Sequence, residues 1–219
     1  MEQLIANEKA YQTLAAYVRG GRLSHALLIE GPAGCGKTAF ARHAAQSAMC
    51  TAPREQRPCG QCRDCVKMEK GVHPDLLTYG GEGGSRSFHI DTVRALRQEA
   101  FVMAGEADCK VLLLRNTQDM SVQAQNALLK LIEEPPKGVH FILTCTARSL
   151  MLATLLSRVA VIPIRVPEVA QCAQALPDFV PGLEKARYAP AAGQAAGCIG
   201  LAVTAFAGED MPRPQHARA

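Results

Sequence analysis

The stretch of sequence that decides the fold is residues 31–38, Gly-Pro-Ala-Gly-Cys-Gly-Lys-Thr. It fits the pattern G-x-x-x-x-G-K-[ST] in full, and it lies between an apolar run and a stretch of helical spacing, which is the context that this motif requires. Glycines let the backbone wrap closely around phosphates, so that N–H groups and the start of the following helix face the anion. We therefore predict a nucleotide-binding loop made of Gly31, Pro32, Ala33, Gly34, Cys35, Gly36, Lys37 and Thr38.

Two side chains of this loop point to ATP with Mg²⁺ as the ligand. Lys37 would place a positive charge on the terminal phosphates, and Thr38 would offer its hydroxyl group to the metal. The alternative is a glycine-rich turn without a ligand, which the complete motif in this context disfavours.

Outward from this loop, apolar runs alternate with stretches of helical spacing. The apolar runs predict strands at 23–30, 73–79, 110–114, 140–145 and 160–164. The helical spacing predicts helices at 4–19, 39–48, 90–100 and 121–133. Strands that alternate with helices form a parallel sheet covered on both faces, so the predicted class is α/β.

The composition along the chain suggests three parts. Residues 1–166 would form the nucleotide-binding domain, and the alanine-rich residues 167–207 a small helical domain. The polar, proline-containing tail at 208–219 is expected to be disordered, and the glycine-rich segment at 80–87 to be a flexible loop.

Hydrolysis of ATP also needs a carboxylate pair at the end of a neighbouring strand, to support the metal shell and to activate water. The strand at 110–114 ends instead in Arg115 and Asn116, although Arg115 could supply charge to phosphates in place of a metal. Asp119 is better explained as a helix cap. Glu133 and Glu134 close the next helix and are expected to be solvated. The sequence thus favours nucleotide binding over turnover.

Four cysteines in one short segment predict a metal site. Cys50, Cys59, Cys62 and Cys65 have the spacing C-x8-C-x2-C-x2-C. Thiolates hold Zn²⁺ tetrahedrally, and four of them leave no open position for water, so the role would be structural. An iron–sulfur cluster and unliganded cysteines are the alternatives.

The surroundings of this segment suggest an irregular zinc module at about 50–65. Its content of Cys, Pro, Gly and Arg argues against regular structure, and Arg63 with Lys67 would offset the negative charge of four thiolates. Most of the other cysteines are expected to be small buried hydrophobic residues: Cys35, Cys109, Cys145, Cys172 and Cys198.

The bulk composition excludes other classes of protein. Hydrophobic residues make up 48% and charged residues 20% of the 219 residues, which argues against disorder. The net charge of +4 permits nucleic-acid contact without demanding it. The first residues are charged throughout, and no run of about 18 apolar residues occurs, so we expect a cytoplasmic protein without membrane contact.

Three further segments carry a resemblance to a known family. Residues 73–75 read His-Pro-Asp, residues 126–136 read Asn-Ala-Leu-Leu-Lys-Leu-Ile-Glu-Glu-Pro-Pro, and residues 156–159 read Leu-Ser-Arg-Val. With the nucleotide-binding loop at 31–38, which is a P-loop, and the four cysteines, they resemble the AAA+ subunits of the bacterial DNA polymerase III clamp loader, the gamma/tau and delta-prime proteins. The resemblance runs from about His25 to about Val166.

The resemblance implies roles for individual positions. Ser157 and Arg158 match a motif whose arginine acts as a finger on nucleotide held by the neighbouring subunit, with Val159 in place of a cysteine. Thr144 or Thr146 would be the sensor 1 residue. Arg115 and Asn116 occupy the Walker B position, where motor subunits have Asp-Glu.

The resemblance also identifies residues 167–207 as the lid domain. Residues 193–201 are similar to its sensor 2 segment, in which Cys198 replaces the expected arginine. Loss of the Walker B acids and of this arginine, with retention of Arg158, is the pattern of delta-prime. The implied partners are gamma/tau and delta, and through the complex the sliding clamp and primed DNA.

Other functions remain as alternatives. A gamma/tau-like or autonomous P-loop ATPase would hydrolyse ATP by itself, and a zinc-organised binding module would hold zinc but no nucleotide. Arg86, Arg94 and Arg97 are expected to form a solvated polar face, with contact to a DNA backbone as the alternative. Clamp-loader subunits normally continue into a helical collar domain, so this sequence would be either truncated or unusually short, and we expect weak assembly without the collar.

Overall fold

A computed structural model describes residues 4–80, 90–181 and 184–207 of the chain. The predictions for residues 81–87, which include Arg86, and for the tail at 208–219 fall outside this part. None of the helices in the described ranges is both long and apolar enough to cross a membrane.

The core is a five-stranded parallel sheet with the strand order β2-β3-β4-β1-β5. The strands are β1 (Ala26–Glu30), β2 (Leu76–Tyr79), β3 (Lys110–Leu114), β4 (Val139–Cys145) and β5 (Ala160–Pro163). The predicted parallel α/β sheet is therefore confirmed. The first and second strands begin three residues later than predicted.

Helices cover both faces of this sheet. Those of the described ranges are α1 (Glu8–Arg19), α2 (Lys37–Met49), α3 (Arg63–Glu69), α4 (Ile90–Ala100), α5 (Val122–Glu133), α6 (Ala153–Leu156), α7 (Val169–Phe179), α8 (Lys185–Gln194) and α9 (Ile199–Ala207). Side chains alternate along a strand, so Leu27 and Ile29 of β1 pack with α1 and α2, while Ala26 and Leu28 pack towards α4 and α5.

Helices α7, α8 and α9 form a separate apolar cluster of their own. Cys172 and Leu176 of α7 are fully buried against Tyr188 and Ala192 of α8 and Ala202 of α9. The segment after residue 167 is thus helical, as its composition predicts.

The structure corrects three local predictions. Helix α1 begins at Glu8 and not at residue 4. Asp119 does not cap α5: it is exposed in a short 3-10 turn, and the hydroxyl of Ser121 accepts the N–H of Ala124 instead. The cysteine-rich segment is not wholly irregular, since the sulfur of Cys62 accepts the N–H of Cys65 and so caps α3.

Asp75 holds a distant loop against the start of β2. Its buried carboxylate accepts three backbone N–H groups, at 2.7, 2.9 and 2.9 Å. The donors are Gly105, Glu106 and Ala107. Burial raises the pKa of a carboxyl group, but these three donors outweigh it and hold the pKa of Asp75 below its usual range.

A buried chain of polar groups continues from Asp75 into α3. The N–H of Asp75 donates to Nδ1 of His73 (3.1 Å), so a neutral ring carries its proton on Nε2, which lies 3.4 Å from Oδ1 of Asp64. Nε of Arg63 donates to the same oxygen at 3.1 Å. Because Asp64 and His73 are almost fully buried, this chain fixes how the cysteine-rich segment sits on the sheet.

Replacement of the Asp75 carboxylate should destabilise the protein in a pH-dependent way. We expect Asp75→Asn to lower the free energy of unfolding by about 1–3 kcal/mol at pH 7, because the three N–H donors lose a charged acceptor. The lowered pKa means that this stabilisation is present above the unfolded pKa of about 3.9 and is lost as the pH falls through the folded value. Urea unfolding of the unsubstituted chain and of Asp75→Asn, measured between neutral and acidic pH, checks this pH dependence. Asp108→Asn, an exposed position on the same loop, is the control.

Candidate nucleotide and metal sites

The P-loop lies where the sequence predicts it, between β1 and α2. Strand β1 pairs with β4 on one side and β5 on the other, so the start of the loop is held from both sides. The N–H of Gly31 donates to the carbonyl oxygen of Cys145 at 3.1 Å. Gly34 and Gly36 have φ of 74° and 93°, which a residue with a Cβ rarely adopts.

The loop borders a cleft with a volume of about 390 Å³, within the range of ligand pockets. The cleft is lined by Ala33, Gly34, Gly36, Lys37, Thr38, Arg115, Asn116, Gln118, Thr146 and Gly200. Among the predicted loop residues, Gly31, Pro32 and Cys35 are not part of this lining. No carboxylate belongs to it either, as far as the described residues extend.

Lys37 is oriented towards its own loop. Its Nζ donates to the carbonyl oxygen of Pro32 at 2.6 Å, and the residue is 7% exposed. The ammonium group has three N–H donors, so it can donate to a phosphate group in the cleft while it keeps the bond to this carbonyl oxygen.

The far wall of the cleft follows β3 and β4. Asn116 has a left-handed backbone with φ of 56°, and its N–H donates to the hydroxyl of Thr144, which is buried. Thr146 lines the cleft, and its N–H donates to Oε1 of Gln118 at 3.2 Å. Of the two sensor 1 candidates, Thr146 thus faces the cleft. Gln118 is a lining residue that sequence reasoning missed, although polar residues after a parallel strand are a signal for it.

One carboxylate lies directly before the P-loop, but it is already engaged. Glu30 ends β1, and its Oε2 lies 2.8 Å from Nη2 of Arg148. Its Oε1 also accepts the backbone N–H of Arg148 at 3.0 Å. Glu30 is therefore held by Arg148, and it is not among the residues that line the cleft.

Helix α9 packs directly onto the P-loop. The N–H of Gly200 donates to the carbonyl oxygen of Gly34 at 3.0 Å, and the side chain of Leu201 covers the same glycine. Cys198, which stands where the resemblance expects an arginine, is buried and does not line the cleft. On the other side of the loop, the side chain of Leu4 lies against Gly36.

The four clustered cysteines come together as the spacing predicts. Their sulfur atoms all lie within 4.8 Å of one another. Backbone N–H groups point at three of the sulfurs: Cys59 donates to Cys50, Cys62 to Cys59 and Cys65 to Cys62, at 3.3–3.4 Å. Four sulfurs at this separation suit a tetrahedral metal ion, so the donor set fits such an ion.

The surroundings tune these thiols differently. Burial raises the pKa of Cys62, but backbone N–H groups of Cys65 and Thr51 outweigh it and lower this pKa to about 6. The N–H groups of Gln61 and Cys62 also lower the pKa of Cys59. Burial raises the pKa values of Cys50 and Cys65. A bound metal ion would hold the cysteines as thiolates, so metal binding would release protons from this cluster.

Two charged residues near the cluster, Arg63 and Lys67, form ion pairs of their own. Arg63 pairs with Asp64 and donates to the carbonyl oxygen of Glu106, and Lys67 pairs with the Glu106 carboxylate. Both side chains thus have oxygen partners, and their effect on the charge of the thiolates stays a prediction. The prediction that most of the other cysteines are buried is confirmed, and the structure buries all five: Cys35, Cys109, Cys145, Cys172 and Cys198.

Arg158 follows the short helix α6, far along the chain from the P-loop. Its Nε lies 2.7 Å from Oε1 of Glu133, and both side chains are about 40% exposed. Its Nη1 donates to the carbonyl oxygen of Thr154 and to the hydroxyl of Ser157. Glu133 is exposed, as predicted, but it is also an ion-pair partner, which the sequence did not indicate. Arg94 and Arg97 are exposed on α4.

The fold and the loop define the class of the protein. A parallel α/β sheet with a complete G-x-x-x-x-G-K-T loop between a strand and a helix is the architecture of the P-loop ATPases. A family model described as DNA polymerase III, delta subunit matches residues 6–168, most of the chain. The chain therefore belongs to this family, and it resembles the delta-prime subunits of the clamp loader.

Relatives with known names agree with this family. The chain is 34% identical to DNA polymerase III subunit delta' of Yersinia pestis over 164 residues, 75% of this chain and 48% of that protein. It is 36% identical to the same subunit of Pseudomonas aeruginosa over 165 residues, 73% of this chain and 50% of that protein. A gamma/tau subunit of Mycobacterium tuberculosis is 32% identical over 74% of this chain and 28% of that protein. The chain thus spans about half the length of the delta' proteins.

Solved structures support the fold. A gamma subunit-related protein of DNA polymerase III from Thermotoga maritima superimposes with a TM-score of 0.53 at 17% identity, over 90% of this chain and 60% of that one. The Holliday junction branch migration motor RuvB from the same organism gives a TM-score of 0.58 at 14% identity, over 99% of this chain and 66% of that one.

A methyl group on Gly200 should loosen α9 from the P-loop. A Cβ at this position would lie 2.7 Å from the carbonyl oxygen of Gly34, so we expect Gly200→Ala to destabilise the protein by about 1–3 kcal/mol. The substitution should also raise the rate of amide hydrogen exchange more in α9 than in the sheet. Gly193→Ala is the matched control, because a Cβ there meets no atom within 4 Å and alanine is the better helix former. Equal stability of both variants would contradict the close contact.

Proposed function

We propose that this chain acts as a delta-prime-like subunit of the bacterial DNA polymerase III clamp loader, and that the chain binds ATP but hydrolyses it poorly. In the complex it would offer Arg158 to nucleotide held by a neighbouring subunit. The observation that carries this proposal is the composition of the cleft: a complete P-loop faces a wall of Arg115, Asn116 and Gln118 without a carboxylate.

The residues of the cleft suit binding of a triphosphate. The backbone of the P-loop and the start of α2 would hold the phosphates, Lys37 would pair with the terminal ones, and Thr38 would offer a hydroxyl ligand to Mg²⁺. Arg115 adds a second positive charge on the far wall. Mg²⁺ prefers carboxylate and phosphate oxygens, and bound metal would supply charge neutralisation at the phosphates. The described lining residues include no carboxylate, so the triphosphate itself would supply the anionic oxygens for Mg²⁺.

Efficient hydrolysis needs a group that orients or deprotonates the attacking water. Asn116 and Gln118 are neutral amides, and Glu30, the carboxylate next to the loop, is held by Arg148. We infer that the nucleotide has a structural or switching role in this chain. Turnover would occur at the neighbour, where a positive charge from Arg158 would meet the charge that develops in the transition state.

The remaining parts of the chain fit this role. Helices α7–α9 would be the lid domain, since α9 lies on the P-loop through Gly200. The four-cysteine cluster would hold a structural Zn²⁺ ion. The partners would be gamma/tau and delta, and through the complex the sliding clamp and primed DNA in the cytoplasm.

Titration with ATP and Mg²⁺ tests the proposal directly. We expect binding in the micromolar range, and a loss of at least about tenfold in affinity for Lys37→Ala, because the buried ammonium group would be the charged phosphate partner in the loop. The isolated chain should show no ATP hydrolysis above that of Lys37→Ala. Turnover that the substitution abolishes would instead indicate a gamma/tau-like or autonomous ATPase. Absence of binding would indicate a zinc-organised module.

Metal analysis tests the cysteine cluster. We expect one zinc ion per chain and its loss in Cys62→Ala, because three thiolates no longer close a tetrahedral site. Cys109→Ala, which removes a buried thiol outside the cluster, should retain the metal. The apo protein should unfold at a lower temperature than the zinc form, since metal binding stabilises the state that has the site. Iron in place of zinc, or retention of zinc by Cys62→Ala, would contradict the assignment.

A further inference from the structure

The contacts of Arg158 point to a second residue that acts in the same reaction. We propose that Glu133 is a positioning residue, which holds the guanidinium group of Arg158 in the orientation in which it meets nucleotide on the neighbouring subunit. The role of Glu133 rests on the proposed function, because Glu133 can affect hydrolysis only if Arg158 acts across the subunit junction.

Three acceptors hold the guanidinium group in the free chain. Oε1 of Glu133 lies 2.7 Å from Nε. The carbonyl oxygen of Thr154 and the hydroxyl of Ser157 accept from Nη1 at 2.9 and 3.0 Å. Thr154 and Ser157 are near neighbours of Arg158 in the chain, whereas Glu133 belongs to α5. Glu133 is therefore the contact that ties the direction of the side chain to the rest of the fold.

These contacts leave one side of the guanidinium group available. The group is planar and carries one N–H on Nε and two each on Nη1 and Nη2. Within the described residues, its contacts lie at Nε and Nη1. Because the fork is rigid, fixing these two atoms also fixes the direction of the two N–H groups on Nη2. Those groups can then meet phosphate oxygens without a search over rotamers.

The position of Glu133 itself is well defined. It is the last residue of α5, and the preceding residues Leu131 and Ile132 are buried in the core. Glu134 has a non-helical backbone, as expected for a residue that precedes a proline. The carboxylate of Glu133 thus starts from a rigid helix end, which is what a positioning contact requires.

Stability does not explain this pair. An exposed ion pair contributes little to folding, because water screens it and two long side chains lose freedom. At a subunit junction, water is displaced and the same charges interact more strongly. An arginine that is already oriented also loses less entropy when it meets the transition state. The pair is therefore of more use in an assembled complex than in the free chain.

Steady-state ATP hydrolysis tests the inference in a complex reconstituted with gamma/tau, delta, the sliding clamp and primed DNA, with this chain at saturating concentration. We expect Glu133→Ala to lower kcat about 3- to 30-fold, since a contact within one network is removed. KM for ATP should stay within about twofold, because the neighbour's own residues hold the ground state. Glu133→Gln, which keeps an oxygen acceptor without charge, should lie in between.

Two further variants separate positioning from a general structural effect. Glu134→Gln alters the adjacent exposed carboxylate and should behave as the unsubstituted chain. The double variant with Glu133→Ala and Arg158→Ala should have the kcat of Arg158→Ala alone, because Glu133 acts only through that side chain. Additive losses in the double variant, or an unchanged kcat in Glu133→Ala while Arg158→Ala is impaired, would overturn the role of Glu133 and leave the proposed function in place.

The variant Arg158→Ala tests the proposed function itself. Its kcat should be lower than that of Glu133→Ala, since the charge itself is lost. If Arg158→Ala hydrolyses ATP in the complex as fast as the unsubstituted chain, Arg158 is not a finger. The proposed function at that junction and the role of Glu133 then fail together.

Discussion

The pairing of β1 on both of its edges is the constraint on which the rest of the site depends. Every peptide group of a buried parallel strand has to find a partner, and β1 finds them in β4 and β5. The same backbone pairing continues beyond the strand. The carbonyl oxygen of Glu30 accepts the N–H of Ile164, and the N–H of Gly31 donates to the carbonyl oxygen of Cys145. The P-loop therefore leaves the sheet from a fixed point, beside the ends of the neighbouring strands. The polar residues that follow β3 and β4 face it for this reason.

Much of this arrangement could be predicted from the sequence, because it depends on local patterns. Strand β3 is found at the predicted residues, since a continuous apolar run has few other structures available. The cap of α5 could not be predicted, because Asp119 and Ser121 are both good capping residues. The left-handed backbone of Asn116 leads the chain into a 3-10 turn and leaves Ser121 at the helix start. The pairing of Glu133 with Arg158 joins two distant segments, which no local pattern reveals.

The two candidate sites lie at opposite ends of one helix. Lys37 opens α2, and Cys50 follows its last residue, so 13 residues, or about 20 Å of helix, separate the phosphate loop from the cysteine cluster. The cluster is also tied to the sheet through Asp64 and His73, and to α2 through Gln46, whose amide donates to the carbonyl oxygen of Cys65. A metal ion held there would brace the far end of the helix whose first turn faces the nucleotide. A structural metal ion would thus be connected to the cleft through α2, although it would take no part in the chemistry of the cleft.

The hydrogen bond between Gly34 and Gly200 has a consequence for how signals could pass through the molecule. Gly34 belongs to the loop that would enclose the phosphates, and Gly200 belongs to a helix of the separate C-terminal cluster. If a ligand in the cleft changes the strength of this bond, it changes the free energy of docking for the three C-terminal helices. Linkage then requires the reverse: any partner that tilts those helices changes nucleotide affinity by the same factor. Occupancy of the cleft could in this way be coupled to whatever those helices contact, with no need for hydrolysis in this chain.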